Sequence, residues 1–325
     1  MRTVAIIGAG QLGSRHLQAL ANVDTSLTIY VADINNESLS TARSRFDEVK
    51  GTCSHEVYYI NEISALPSSL DIVIVATNSI IRKKVIEELL AGSEVKHLIL
   101  EKFLFPRKSD YVEVAPVLAD RPEMKVWVNC PRRTFDLYKS IATELKDQGP
   151  VNVTVTGSGW GLGCNSIHFV DIFSFIVNQS EVTVLSEAID DEYTESKRQG
   201  YVEFSGSLYL GAVGGHRMEV TSYKTGSHPI IIKISTPTAC WIINETAREY
   251  EYASAANDWV FVKEKVSFPM QSQVGTQVAN DLIRKGYCEL ASYATSASLH
   301  LALLQTFIDK FNLINKESKD LCPIT

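Results

Sequence analysis

Three groups of residues in this 325-residue chain have types and spacings that could do chemistry. Glu101-Lys102 closes the apolar run Leu98-Ile99-Leu100, and an ammonium there can hold an oxygen and stabilise an alkoxide as its proton leaves. His168 and Asp171 lie three apart, so on a helix they can share one face. There the carboxylate can orient the imidazole or hold the imidazolium, and a histidine near neutrality suits the proton transfer that accompanies hydride loss from an alcohol. The third group is Gly8-Ala9-Gly10-Gln11-Leu12-Gly13, which follows the apolar run Val4-Ala5-Ile6-Ile7. Gly8 permits a sharp turn after a strand, Gly10 lets a pyrophosphate approach the backbone, and Gly13 lets a helix pack close to a sheet. The helix that starts at Gln11 and Leu12 would offer the phosphates its free N–H groups.

The surrounding elements support the dinucleotide reading. Leu12, His16, Ala19 and Leu20 repeat at helical spacing, and Leu27-Thr28-Ile29-Tyr30-Val31 reads as the next strand. Asp33 stands at that strand's end, where a carboxylate accepts hydrogen bonds from a ribose diol and repels a 2′-phosphate, so NAD is favoured over NADP. Arg43 and Arg45 would weaken that preference if they folded back toward the ribose. Strand and helix patterns alternate to about residue 130 and give about six strands, the count of a doubly wound parallel sheet. In such a sheet the C-terminal strand ends face the ligand crevice, which puts Thr77, Asn78, Glu101 and Lys102 on the cofactor side. A solvated Glu101–Lys102 ion pair is the plainer alternative. Pro116 interrupts the helix expected before the sixth strand and blurs its limits.

Beyond residue 130 the pattern changes. A helix over about 132–147 ends at Gly149-Pro150, and alternating runs with turn signals, including Gly214-Gly215 and Thr225-Gly226-Ser227, describe a mostly antiparallel sheet. Two helices, near 272–285 and 289–313, follow. The expected fold class is α/β: a Rossmann domain over 1–130, then an α+β domain with an open antiparallel sheet over 131–325 for substrate binding and oligomerisation. The segment Gly157-Ser158-Gly159-Trp160-Gly161-Leu162-Gly163 places Leu162 where a second dinucleotide loop needs glycine, so it reads either as a flexible lip over a pocket, with Trp160 beside the substrate, or as a structural turn. Arg132 and Arg133 follow Asn129 at the domain boundary, where a guanidinium could clamp a carboxylate, phosphate or sugar oxygen; surface exposure is the equal alternative. From spacing alone, His168 and Asp171 fit a satisfied buried pair better than a catalytic one.

With Arg15-His16 after the last glycine, Glu101-Lys102 and His168-x-x-Asp171, nearly the whole chain resembles the glucose-fructose oxidoreductase and inositol dehydrogenase family, Gfo/Idh/MocA. The resemblance implies a Rossmann domain joined to an open-faced sheet domain, and oxidation or reduction of sugars, cyclitols or related compounds with NAD(P). It assigns Lys102 the role of the lysine that reaches nicotinamide and substrate, and it favours a catalytic His168. It also implies association into a homodimer or homotetramer. Two positions depart from the family pattern: Cys164 stands where many members carry an aspartate four residues before the histidine, and Phe103 replaces the proline after the lysine. Asn165, beside Cys164, is then the candidate for orienting the substrate. A redox-neutral NAD-using glycosidase or lyase and a non-catalytic NAD-binding regulator are the alternative activities.

A formal net charge of −7 argues against nucleic-acid and anionic-membrane binding. Six cysteines, at 53, 130, 164, 240, 288 and 322, form no C-x-x-C pair, and no zinc pattern appears. With no leader-like segment and no bilayer-spanning run, these features lead us to expect a cytoplasmic, metal-free protein.

Overall fold

The computed structural model describes residues 1–51, 54–146 and 148–325 and divides them into two compact units. Cys53 lies outside the described residues; the other five cysteines are free thiols. The first unit comprises Met1–Phe105, Ser109–Pro131 and Pro269–Tyr293. Its elements are β1 (Arg2–Ile7), α1 (Gln11–Leu20), β2 (Leu27–Ala32), α2 (Asn36–Asp47), β3 (Glu56–Ile60), β4 (Ser69–Val75), α3 (Ser79–Gly92), β5 (Glu94–Leu100), α4 (Lys108–Ala119) and β6 (Lys125–Val128). These strands lie parallel in the order β6-β5-β4-β1-β2-β3, the doubly wound arrangement that the alternation of patterns predicts. Val4 to Ile7 and Ile72 to Val75 are buried, as unbroken apolar runs must be when helices cover both faces of a sheet. Pro116 sits inside α4, which continues to Ala119. The cost falls on the Val112 carbonyl one turn earlier, which loses its helical donor.

The second unit comprises Pro106–Lys108, Arg132–Phe268 and Ala294–Thr325. It contains α5 (Asp136–Glu144), β7 (Asn152–Ser158), α6 (Leu162–Ile176), β8 (Thr183–Ile189), the short strands β9 (Thr194–Glu195) and β10 (Val202–Glu203), β11 (Gly206–Ala212), β12 (His216–Tyr223), β13 (Ile231–Ser235), β14 (Ala239–Asn244), β15 (Glu249–Ser254) and β16 (Val262–Lys265). Eight of these strands form a sheet in the order β16-β15-β14-β13-β7-β12-β11-β8, antiparallel except for β7 with β12. Gly214 and Gly215, both at positive φ, make the turn between β11 and β12. The helix expected over 132–147 is a 3₁₀ turn over 131–134 followed by the shorter α5.

The division differs from a cut at 130/131. The helix α7 (Gln271–Lys285) packs against α1, and the short strand β17 (Ala291–Ser292) pairs antiparallel with β6, so both complete the first unit. Gly275 makes the close approach possible: a Cβ there would stand 2.7 Å from the Ala19 methyl. Thr276 donates to the Ala19 carbonyl at 2.7 Å, and Arg284 pairs with Asp24. The last helix, α8 (Tyr293–Asn315), starts after β17 rather than at 289. No helix among the described residues is long and apolar enough to cross a membrane.

Candidate active site

In the first unit the candidates gather at the C-terminal ends of the parallel strands. Gly8 turns at φ +95° after β1 and donates to the Ala32 carbonyl at 2.8 Å. At Gly13 a Cβ would lie 1.7 Å from the Gly8 carbonyl oxygen, so only glycine lets α1 pack this close. Gly10 differs: nothing stands within 4 Å of where its Cβ would point, and no side chain caps the first turn of α1. An open space before uncapped N–H groups fits a dinucleotide pyrophosphate. Asp33 Oδ2 accepts from the Ala9 amide at 2.6 Å and Oδ1 from the Asn35 amide at 2.8 Å, which holds the carboxylate at the end of β2 beside the glycine loop. Arg43 lies over the Tyr59 ring, 4.5 Å from its centroid. Arg45 donates to Ser14 Oγ and Gln11 Oε1, at 2.6 and 2.8 Å, and so lies along the first turn of α1.

Thr77 and Asn78 follow β4, and Asn78 Oδ1 accepts from the Ile81 amide at 3.4 Å as the cap of α3. Glu101, only 3% exposed, has Oε1 2.7 Å from both His16 Nε2 and Asn129 Nδ2. Burial pushes its carboxyl up, but the His16 and Asn129 hydrogen bonds and the His16 and Arg82 charges outweigh that and hold it below the usual glutamate range. Glu101 therefore pairs with His16 and not with Lys102, which removes the plainer ion-pair reading of this dipeptide. Lys102 itself is partly exposed after the buried run Leu98 to Glu101. Arg82, unremarked in the sequence, is 1% exposed and donates to the main-chain carbonyls of Thr77, Phe103 and Leu104.

In the second unit, α6 carries Cys164, Asn165, His168 and Asp171. Its first residues are held by Glu203, whose carboxylate accepts from the Gly163 and Cys164 amides and from the Cys164 thiol. A carboxylate at a helix N-terminus satisfies orphan donors and complements the dipole. Cys164 is thus a hydrogen-bonded thiol in a packed turn. His168 is partly exposed one turn further on.

All four substrate candidates have partners within the second unit. Asp171 is fully buried, and its Oδ2 accepts from Arg133 Nε at 2.8 Å; burial raises its pKa against the lowering effect of Arg133. It pairs with Arg133 because that guanidinium is the cation delivered to it, so it does not orient His168. Arg132 does not offer its fork to a ligand: Nε lies 3.0 and 3.1 Å from the two Glu245 oxygens and Nη2 3.0 Å from Oε2, with Tyr138 donating to the same carboxylate at 2.7 Å. Trp160 is no flexible lip. Its Nε1 donates to the Thr221 carbonyl at 2.9 Å and its ring meets Phe169 edge-on at 5.3 Å, which fixes it in the core. Asn165 donates to the Trp160 carbonyl at 2.6 Å and closes the same turn.

Residues 2–130, which hold the glycine loop, Asp33 and the strand-end lysine, match the model of the oxidoreductase family with an NAD-binding Rossmann fold. Over almost the whole chain the structure is similar to those of several solved dehydrogenases and a ketoreductase. A levoglucosan dehydrogenase in complex with NADH and levoglucosan superposes with a TM-score of 0.70 at 15% identity, covering 98% of each chain. The UDP-N-acetylglucosamine 3-dehydrogenase of Acidithiobacillus ferrooxidans gives 0.69 at 12% identity, over 94% of this chain and 96% of that one. A variant of a 3-ketoreductase from Actinomadura kijaniata, in complex with TDP-benzene and NADP, gives 0.69 at 14% identity with the same coverage. At these identities the likeness is one of fold. No curated protein matches the chain in sequence. The glycine loop and the strand ends lie within the matched span and were legible from local spacing, while Arg82, Glu203 and Glu245 had no local motif to announce them.

Proposed function

We propose that this chain is an NAD-dependent oxidoreductase that exchanges hydride with a carbinol carbon of a sugar, cyclitol or related polyol. One observation carries the reading: a partly exposed lysine follows β5 on the same sheet edge as an open, uncapped glycine loop of an NAD-binding oxidoreductase domain. NAD, when bound, supplies the site that takes or gives hydride. Gly10 and the first turn of α1 would hold the pyrophosphate. The Asp33 carboxylate keeps lone pairs beyond those used by Ala9 and Asn35, and these would accept from the ribose diol.

Lys102 Nζ holds the alcohol oxygen and stabilises its negative charge as hydride leaves. His168 takes the alcohol proton, or returns it in the reductive direction. Asn165 acts from the turn before His168 and steadies the sugar ring. Arg132 and Asp171, occupied by Glu245 and Arg133, support the second unit's framework instead.

Screening sugars, cyclitols and nucleotide-linked sugars by nicotinamide absorbance tests the proposal. Net reduction of NAD by a member of the panel is the expected result, and Lys102→Ala should then lower turnover about 100- to 1,000-fold while NADH affinity stays within about threefold. Product formed with no net change in nicotinamide, or Lys102→Ala turning over within about twofold of wild type, overturns it.

A further inference from the structure

We infer that Arg82 is a positioning residue, whose buried guanidinium ties the Thr77 carbonyl to those of Phe103 and Leu104 and thereby sets where Lys102 stands at the cofactor edge of the sheet. The inference rests on the reading of Lys102 as the oxygen-holding group. Arg82 projects from the first turns of α3 and is 1% exposed, and Phe103 and Leu104 are fully buried. β4 and β5 are neighbours with Val75 opposite Leu100, so the loops that follow them leave the sheet side by side. Those loops carry Thr77-Asn78 and Lys102.

Past the ends of the strands, the Thr77, Phe103 and Leu104 carbonyls are beyond the ladder that would otherwise satisfy them. A buried carbonyl needs a donor, and a planar guanidinium can serve several at fixed angles. Nη1 donates to Phe103 and, at 2.7 Å, to Leu104, while Nη2 donates to Thr77. The fork thus bridges two loops and holds the carbonyls of the two residues that follow Lys102. Its charge also helps keep the buried Glu101, the residue before Lys102, ionised. A lysine in its place would keep the charge but offer its donors from a single nitrogen, without the rigid fork.

The test compares full-length Arg82→Lys and Arg82→Met with wild type. Reductive methylation with ¹³C keeps each lysine charged and makes it visible by NMR, and the Lys102 signal is identified by its loss in Lys102→Arg. Both variants should melt cooperatively. The Lys102 signal should shift and broaden in Arg82→Met and lie between the two in Arg82→Lys; the dissociation constant for NADH, read by its fluorescence, should rise about three- to tenfold. On a sugar that wild type turns over, kcat should fall more than tenfold in Arg82→Met, with KM changed less. A folded variant with the wild-type Lys102 signal and wild-type NADH affinity overturns the inference. Should Arg82→Met fail to fold, Arg82→Lys decides by the same readings. If wild type itself neither binds NADH nor turns over, the nicotinamide reading fails, and the Lys102 signal still decides the role of Arg82.

Discussion

Single residues on α6 divide into one that meets solvent and one that does not. His168 is partly exposed, whereas Asp171, one turn on, is sealed in with Arg133. As the proton-transfer group, His168 replaced by Ala should cost about 10²- to 10⁴-fold in turnover and remove one limb of the pH–rate profile, with NADH affinity unchanged. The buried pair makes an unequal demand on its members. Arg133→Met leaves a buried carboxylate without its cation and should cost about 3–5 kcal/mol in a denaturant melt. Asp171→Asn retains an acceptor for Arg133 Nε and removes a carboxyl that burial already disfavours in its charged form, so it should cost clearly less. Equal losses for the two variants would contradict the pairing. The sequence placed His168 and Asp171 on one helix, three residues apart, but paired them with each other, whereas Asp171 is taken by Arg133. Arg133 and Glu245 become partners of Asp171 and Arg132 through chain separations of 38 and 113 residues, which no local pattern encodes.

Elements were more legible than partners, because periodicity and glycine placement act over short distances. The run Leu70 to Val75 could only be a strand buried on both faces, and Gly8, Gly10 and Gly13 had their roles separated by spacing alone. The structure distinguishes the three further and makes that distinction measurable. Gly13→Ala sets a methyl 1.7 Å from the Gly8 carbonyl oxygen and should force α1 away from the loop, lowering both the melting temperature and the affinity for NADH. Gly10→Ala meets nothing within 4 Å at an ordinary φ of −63°. Its stability should stay within about 0.5 kcal/mol of wild type, while NADH affinity falls at least tenfold because the methyl occupies the approach of the phosphates. Calorimetry and NADH fluorescence check both variants. The segment from Gly157 to Gly163 was ambiguous for a related reason: glycines announce a turn, but only the bonds from Trp160 to Thr221 and from Asn165 to Trp160 say that the turn is closed.

At the scale of the whole molecule, buried and part-buried ionisable groups set how stability follows pH. Burial lowers the pKa of His55 and, with the Lys125 charge, that of His97, while Glu101 is held below the usual range by His16 and Asn129 against the effect of burial. For each of these the folded value is depressed, so the unfolded chain binds more protons as pH falls. Their stabilising contribution is present above the ordinary values of 6.5 and 4.5, starts to fade below them and is lost as pH passes through the folded values. Asp171 acts oppositely, since its raised value makes the fold slightly more favourable as acid protonates it. With Asp71, His216, Asp191 and Glu249 also held below their ordinary values, the depressed groups outnumber Asp171 and predict a melting temperature that falls from pH 7 to pH 4. In Glu101→Gln the lower part of that fall should flatten. The placement of α7 was beyond sequence reading because its amphipathic pattern fits a second-domain helix equally well, and the match of Gly275 to Ala19 selects its site; β17, two residues long, has no pattern to read and fell inside the helix expected from 289. That placement has a consequence for biogenesis: a ribosome emits β1 to β6 long before the helix that shields α1, so the nascent dinucleotide domain must wait for residue 293 before its surface is sealed. A fragment ending at residue 130 should therefore be captured by chaperones or aggregate, and one to which residues 269–293 are restored through a short linker should stay dispersed.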